Sequence, residues 1–296
     1  MSDDLVVLRP EGLYCPAGRF HIDPWRPVER AVITHAHADH ARAGHGAVLA
    51  TAVSAGVLRA RLGEALPVQV RLHPAGHVLG SAQVRLAHRG RVWVVSGDYW
   101  LTAHDEHNAT CAPFEPVRCE CFITESTFGL PIYRWRPQAE VLAGIDAWWR
   151  DNAAAGRASL LLGYSFGKAQ RLLAGVDASI GPLNAAYRAA GVPLPPTVSL
   201  EALREPGRAA FERDIGRALV LAPPAVHGSA WARSLGEHRD AFASGWMQLR
   251  GARRRQGVDR GYVLSDHADW PGLQRAIAAT GAQRVIVTHG YEAVMV

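Results

Sequence analysis

Four side chains that can bind a metal ion stand within six residues of one another. They are His35, His37, Asp39 and His40, and they follow the apolar run 31–33, which predicts a buried strand. In an extended segment alternate side chains point to the same side, so His35, His37 and Asp39 are expected to share one side. Imidazoles with a carboxylate suit zinc and related divalent ions, and a group this dense can hold two of them. A polar turn that is rich in histidine by chance is the alternative.

The same kind of residue recurs where other predicted strands end. His77, Asp98 and Glu125 each follow a short apolar run that predicts a strand. Functional residues are commonly carried by loops that a rigid sheet positions. We therefore expect residues that are far apart in the chain to form one shared site.

Composition predicts a globular protein. The chain has 296 residues, of which 48% are hydrophobic and 20% charged, and this length allows one large domain or two moderate ones. No apolar run approaches the roughly 18 residues of a membrane span, and the N-terminus lacks the features of a signal peptide. We expect a cytoplasmic protein without a membrane partner. The net charge of +5 fits a polyanionic partner without requiring one.

Periodicity predicts alternating strands and helices, including helices over 44–65 and 137–152 and strands over 68–72 and 245–251. The cysteines are expected to be buried thiols, with a structural metal at Cys111 and Cys119 as the alternative. The triplet 253–255 consists of arginines, which either lie in a solvated loop or follow a nucleic-acid backbone. The last residues, 291–296, predict the start of a helix, so we expect the natural protein to continue.

Taken in order, the motifs resemble those of the metallo-β-lactamase fold with a β-CASP insertion. The residues 124–138 are similar to the bacterial DNA-ligase-associated exonucleases, the family that the chain resembles most. The resemblance covers nearly the whole chain. Its matching motifs lie at 35–40, 75–77, 96–98, 124–127, 265–267 and 288–290.

The resemblance implies an α/β protein, in which a metallo-β-lactamase αββα sandwich carries an inserted α/β β-CASP domain. The first part of the sandwich would span 1–130, the insertion 131–257, and the second part of the sandwich 258–296.

The resemblance also implies two divalent metal ions, with zinc expected and manganese as the alternative. Asp98 would bridge the two ions. The remaining implied ligands are His35, His37 and His77 for one ion, and Asp39, His40 and His289 for the other.

Further side chains receive roles from the same resemblance. Asp39 counts as a catalytic group as well as a ligand. Glu125 would hold the imidazole of His267, which would protonate the leaving oxygen or orient the phosphate. Ser165 and Lys168 would bind a substrate phosphate. The competing interpretation of Ser165 is that it caps a helix. The competing interpretation of the whole segment 164–168 is an ordinary connection between a strand and a helix.

The implied function is a DNA exonuclease of repair that hydrolyses phosphodiester bonds with a two-metal hydroxide mechanism. The implied partners are nucleic acid, with DNA favoured over RNA, and a repair set of DNA ligase and helicase. Glu125 and His289 are similar to the RNA-processing branch of this fold, so an RNA-processing nuclease is the first alternative. A thiolesterase-like hydrolase shares the metal motif but needs neither the insertion nor Glu125 and His267.

Overall fold

The computed structural model of the chain describes residues 4–51, 53–54, 57–58, 71–88, 91–104, 106, 108–175 and 181–296. This part of the chain contains several sheets together with helices, which confirms the predicted α/β class. The chain divides into two compact units, of which the first is Met1–Arg134 with His267–Val296 and the second is Trp135–Asp266. Within the described ranges, every helix is too short or too polar to cross a bilayer.

The strands are β1 Val7–Arg9, β2 Gly12–Cys15, β3 Phe20–Ile22, β4 Arg30–Val32, β5 Ala47–Leu49, β6 Arg71–Pro74, β7 Ala82–His88, β8 Arg91–Val95, β9 Cys121–Ser126, β10 Ala158–Leu162, β11 Leu219–Ala222, β12 His238–Ala243, β13 Arg260–Tyr262 and β14 Arg284–Gly290. The helices with named bounds are α1 Gln138–Ala154, α2 Lys168–Gly175, α3 Gly181–Ala189, α4 Leu200–Arg204, α5 Arg208–Ile215, α6 Ala230–Arg233, α7 Arg250–Gln256, α8 Trp270–Thr280 and α9 Glu292–Met295, with 3-10 turns at Pro224–Val226 and Gly245–Gln248.

The first unit contains two sheets that pack face to face. One sheet has the strand order β1-β2-β3-β4-β5 and the other β14-β9-β8-β7-β6. Alternation along the strands separates the two faces of the second sheet, because neighbouring side chains of a strand point to opposite sides. Trp93 and Val95 of β8 join Phe20 and Val32 of the opposite sheet in the core between the sheets.

The outer face of that second sheet is covered by helix α8. Val94 of β8 and Phe122 of β9, which alternate with the inward residues, pack with Leu273 and Ala276 of α8. The side chain of Asp269 accepts a hydrogen bond from Gly272 N and caps the start of this helix. The helix begins three residues after His267, so its packing helps to fix the chain at that histidine.

The second unit is built on a parallel sheet with the order β11-β10-β12-β13. Its central strand β10 is apolar apart from Ser159 and buried along its whole length, as expected for a parallel strand that is covered on both faces. Helix α1 packs on β10 through a stripe of buried residues that contains Val141, Ile145 and Trp148.

Two of the predicted elements differ from the structure. Residues 47–49 of the helix predicted over 44–65 form β5, because tertiary pairing with β4 overrides their weak helical pattern. Residues 53, 54, 57 and 58 are helical. Other residues of the predicted helix and the start of the strand predicted over 68–72 lie outside the described residues, namely at 52, 55, 56 and 59–70. The strand predicted over 245–251 is wrong, since a 3-10 turn and the start of α7 lie there.

The compact units have other bounds than the predicted domains, and the domain assignment stays a prediction. The second unit ends at Asp266, whereas the insertion was predicted to end at 257. Strand β13 accounts for the later end, because it pairs with β12 of the second unit's sheet.

Candidate metal centre

The histidine-rich segment begins where strand β4 ends. Its first turn is held by Asp23, whose carboxylate accepts hydrogen bonds from Thr34 N at 2.7 Å and from Thr34 Oγ1 at 2.5 Å. Ala82 N donates to the carbonyl oxygen of Thr34 at 2.7 Å, which ties this turn to the opposite sheet. The imidazole of His35 is fully buried, so its orientation is set by packing.

Asp98 reaches the same place from the end of β8. Gly97 directly before it has a φ of +57°, and a Cβ there would lie 2.6 Å from Thr34 Oγ1. Only glycine therefore lets the end of β8 approach the end of β4 this closely. The carboxylate of Asp98 is 3% exposed, which places a charge deep in the protein.

His77 belongs to the loop between β6 and β7. Its backbone N–H donates to Ser81 Oγ at 3.1 Å, and its carbonyl oxygen accepts from Asn108 Nδ2 at 3.1 Å. These bonds fix the loop, and the His77 side chain is fully buried.

Four overlapping groups of metal-ligand type occur among the described residues, and in each group the donor atoms lie within 4.8 Å of one another. Two of these groups consist entirely of predicted metal ligands. The first donor group is His35, His37, His77 and Asp98. The second donor group is Asp39, His40 and His289. These two groups contain the residues to which the resemblance assigned metal ligation, with Asp98 in the first of them. The remaining two groups are Asp23 with His35 and His40, and Asp98 with Glu125 and His267. The metal-binding roles stay predictions.

Asp98 lies between the two groups. Its Oδ2 is 3.4 Å from His35 Nε2 and 3.9 Å from His77 Nε2 in the first donor group. The same oxygen is 3.2 Å from His40 Nε2 in the second donor group. One carboxylate oxygen thus faces imidazoles of both groups, which is the arrangement that a bridging ligand requires.

The donor set passes a simple test of fit to divalent ions. His35 Nε2, His40 Nε2 and Asp98 Oδ1 are buried, and none of them makes a hydrogen bond of good geometry to any described residue. Buried polar atoms are rarely left in this state in native proteins. Neutral imidazole nitrogens and a carboxylate oxygen are the donors that zinc takes, so ions bound at these atoms would satisfy them.

The second donor group is more open than the first. Asp39 and His289 are both exposed, whereas His35 and His77 are fully buried. His289 sits at a register shift between β14 and β9 and has a φ of +54°, which is uncommon for a residue other than glycine. Bulges of this kind re-aim side chains beside functional sites. The bulge turns His289 toward His40, with their ring centroids 5.5 Å apart.

Burial and neighbouring charges shift the pKa values of this cluster in opposite directions. Burial lowers the pKa of His35 well below its usual range, which keeps this imidazole neutral. Burial also lowers the pKa of His40, but the carboxylates of Asp98 and Asp23 outweigh it and hold that pKa well above its usual range. Burial raises the pKa of Asp98, yet the neighbouring imidazoles, His40 foremost, hold it well below its usual range. The same carboxylates favour a proton on His40, so a metal ion and a proton compete for this imidazole.

A histidine–carboxylate pair stands beside the first donor group. His267 Nδ1 donates to Glu125, with distances of 3.0 Å to Oε2 and 3.2 Å to Oε1. Glu125 is also held in place, because its Oε1 accepts from Tyr99 N at 2.8 Å. The His267 ring lies 4.6 Å from the His77 ring between centroids. The pair fixes which ring nitrogen of His267 carries a proton.

A cleft of about 720 Å³ opens at the second donor group. Its lining includes Asp39, His40, Asp98, Glu125 and His289. Apolar side chains from β1, β2, β3 and β14 and charged side chains such as those of Asp4, Arg284 and Glu292 also line it. This volume lies within the usual range for small-ligand pockets, which is about 300–1,000 Å³.

The two residues predicted to bind phosphate lie in the second unit. Ser165 is exposed in the turn between β10 and α2. Lys168, the single lysine among 32 basic residues, is 3% exposed and donates from Nζ to Asp266 Oδ2 at 2.5 Å. The phosphate-binding roles stay predictions, and for Lys168 that role competes with a buried ion pair.

We expect Lys168→Met to destabilise the second unit. Asp266 would lose its lysine partner, while Arg171 Nη1 lies farther away, 3.5 Å from Oδ1, and breaking a buried ion pair costs about 3–5 kcal/mol. Urea unfolding monitored by circular dichroism measures the change. A second variant that also carries Asp266→Asn tests the cause, because removing both charges should recover part of the lost free energy of unfolding. Equal stability of Lys168→Met and the native chain would contradict the prediction.

Sequence reasoning missed Asp23. It has a φ of +44°, and its Oδ2 accepts from His40 Nδ1 at 2.9 Å in addition to its bonds to Thr34. A carboxylate that holds the second nitrogen of a metal-binding imidazole fixes its tautomer and raises its basicity. A signal was present, since Asp23 is another ligand-type residue directly after a short strand, β3.

We expect Asp23→Asn to weaken metal binding by about 10- to 100-fold, the usual cost of losing such an outer partner. The amide matches the carboxylate in size and tolerates a positive φ, so the fold should persist. However, one of its heteroatoms is a donor and cannot accept from His40 Nδ1. Equilibrium dialysis against zinc measures the affinity, and an unchanged affinity would exclude this role for Asp23.

Comparisons with known proteins found one relative by sequence and a similar fold among solved structures. No family model matches the chain. A protein of Opitutus terrae described as a probable DNA ligase is 33% identical over 306 residues, covering 95% of this chain and 28% of the relative. The chain therefore spans only about a quarter of that relative's length. It is also similar to the crystal structure of a protein of unknown function from Enterococcus faecalis V583, with a TM-score of 0.51 and 11% identity, covering 90% of this chain and 76% of the other.

Proposed function

We propose that this chain is a metal-dependent nuclease with a metallo-β-lactamase fold and a β-CASP insertion, and that it hydrolyses phosphodiester bonds in DNA. The observation that carries the proposal is the position of Asp98 Oδ2, which lies 3.2–3.9 Å from imidazole nitrogens of both donor groups. A pair of divalent ions, when bound, supplies hydroxide at neutral pH and neutralises charge on the phosphate that is attacked.

The chain's own residues would bind the ions, donate a proton and exclude water. His35, His37 and His77 would hold one ion, and Asp39, His40 and His289 the other, with Asp98 shared between them. Glu125 holds His267 through Nδ1, so Nε2 is the atom that would protonate the leaving oxygen. Burial of His35 and Asp98 keeps the first donor group dry, which strengthens its electrostatic interactions.

The choice of DNA rests on the relative described as a probable DNA ligase, of which this chain matches 28%. We accordingly propose that the chain acts in the cytoplasm in DNA repair, together with a DNA ligase. An RNA-processing nuclease is the second candidate, since Glu125 and His289 are similar to that branch of the fold.

The test is digestion of single-stranded DNA and RNA, each labelled at one end, with Zn²⁺ or Mn²⁺. We expect progressive shortening of DNA that stops when a chelator is added. Cleavage of RNA alone would replace DNA with RNA as the substrate. Loaded protein that cuts neither polymer but hydrolyses a thioester would refute the nuclease proposal.

A further inference from the structure

Helix α7 in the second unit is a dense cluster of positive charge. Four of its seven residues are arginines, namely Arg250, Arg253, Arg254 and Arg255. All four are exposed, and the buried residue of the helix is Ala252, which packs in the core of this unit. The helix is therefore anchored by one small side chain and presents its arginines to solvent.

The helical repeat arranges these arginines on the outer surface. With about 100° between successive residues, Arg250 and Arg254 lie opposite Ala252, one turn apart. Arg253 flanks them and donates from Nε to the carbonyl oxygen of Met247, which fixes the base of its side chain. Side chains four residues apart on a helix are neighbours, so the guanidinium groups of Arg250 and Arg254 can contact the same extended ligand.

These four arginines lack a counter-charge within the part of the chain that the structure describes. Some exposed arginines elsewhere in the second unit have carboxylate partners, while others, such as Arg188 and Arg233, donate to backbone carbonyl oxygens. Arg208 Nε lies 2.6 Å from Glu212, and Arg213 Nε lies 2.7 Å from Asp214. For the arginines of α7, no described carboxylate lies within the 4.0 Å of an ion pair. Like charges four residues apart destabilise a helix by about 0.2–0.5 kcal/mol, so the bare cluster carries a cost.

We propose that α7 is a binding surface for the sugar-phosphate backbone of the nucleic acid, a proposal that rests on the proposed nuclease function. Arginine binds phosphate oxygens through two parallel N–H groups, and a polyanion supplies the counter-charge that the described residues do not. The helix carries no exposed large apolar side chain that could enter a lipid surface. Contacts of this kind set affinity and register without reading the base sequence.

The test compares two double variants with the same change in charge. Arg250→Gln/Arg254→Gln removes the outward pair of α7, and Arg208→Gln/Arg213→Gln removes two exposed arginines of the same unit that already have partners. Each is combined with Asp98→Asn to prevent cleavage. Binding of labelled single-stranded DNA is then titrated over a series of salt concentrations, with several base sequences and with anionic vesicles as a second ligand.

We expect the α7 variant to lower the slope of log K against log salt by about 1.4, since each lost phosphate contact on a single strand contributes about 0.7. The loss of affinity should be the same for every base sequence, and the control variant should retain the native slope. Equal losses in both double variants would overturn the proposal, because net charge alone would then explain them. So would α7-dependent binding of vesicles without binding of DNA.

Hydrolysis of bis(p-nitrophenyl) phosphate separates this proposal from the nuclease proposal. When the α7 substitutions are made without Asp98→Asn, the variant should cleave this small diester at the native rate. The reason is that the diester has no extended sugar-phosphate backbone for α7 to bind. If the native chain neither binds nor cuts nucleic acid, the proposed function fails. If the native chain binds and cuts nucleic acid, and the α7 variant has the same affinity and the same slope of log K against log salt, only the proposed role of α7 fails.

Discussion

Replacing Asp98 with asparagine is expected to reduce cleavage to background and to lower metal content. The side chain keeps its size, so the change isolates the lost negative charge. Its Oδ2 faces His35, His40 and His77 at 3.2–3.9 Å, and an amide that presents a donor there cannot serve both donor groups. The rate loss should exceed the roughly 10- to 100-fold that accompanies loss of an outer hydrogen-bond partner.

Metal content by plasma mass spectrometry and cleavage of end-labelled DNA measure the two effects together. Asp240→Asn is the matched control, because Asp240 also faces a histidine, His227, at 2.9 Å, but belongs to the second unit and to neither donor group. The control should retain metal and rate. Native activity in Asp98→Asn would contradict a shared ligand, even if its metal content fell.

His267→Ala is expected to keep the metal content while reducing the rate by about 10²- to 10⁴-fold, the usual contribution of a general acid or base. His267 belongs to neither of the two donor groups of predicted ligands, although it forms a further group of metal-ligand type with Asp98 and Glu125. Its Nδ1 is held by Glu125 at 3.0 Å. The loss should appear in kcat more than in KM, because the proton is needed as the leaving oxygen departs. The limb of the pH–rate profile that reports this acid should also disappear.

The matched control for this change is His73→Ala. His73 forms a similar pair with Glu115, at 2.9 Å, and is absent from every group of metal-ligand type in the described residues. It should leave the pH profile unchanged. If His267→Ala loses metal as well as rate, His267 is a ligand, and its role and that of His289 would have to be exchanged.

The donor set could be recognised in the sequence because it follows from local rules. Alternation in an extended segment places His35 and His37 together, and functional side chains are commonly carried by loops that a rigid framework of strands positions. His77 and Asp98 follow short apolar runs, so their position at strand ends was readable from the order of residues alone. The α/β class could be predicted because the sequence carries both strand and helix patterns.

Secondary structure was harder to read where tertiary pairing decides it. Strand β12 begins with the polar residues His238, Arg239 and Asp240, a pattern that does not signal a buried strand. It forms because β10 and β13 offer backbone partners on both sides. The apolar segment after it looks more like a strand but turns at Ser244, whose Oγ accepts from Trp246 N.

The sequence by itself thus determined which side chains can bind a metal ion and that they stand at strand ends, because both depend on residue type and short-range spacing. Only the tertiary structure decided how these side chains are held. The contact of Asp23 with His40, the bulge at His289 and the pairing of Lys168 with Asp266 join residues through space. Such contacts depend on the packing of whole sheets and helices, which no local pattern encodes.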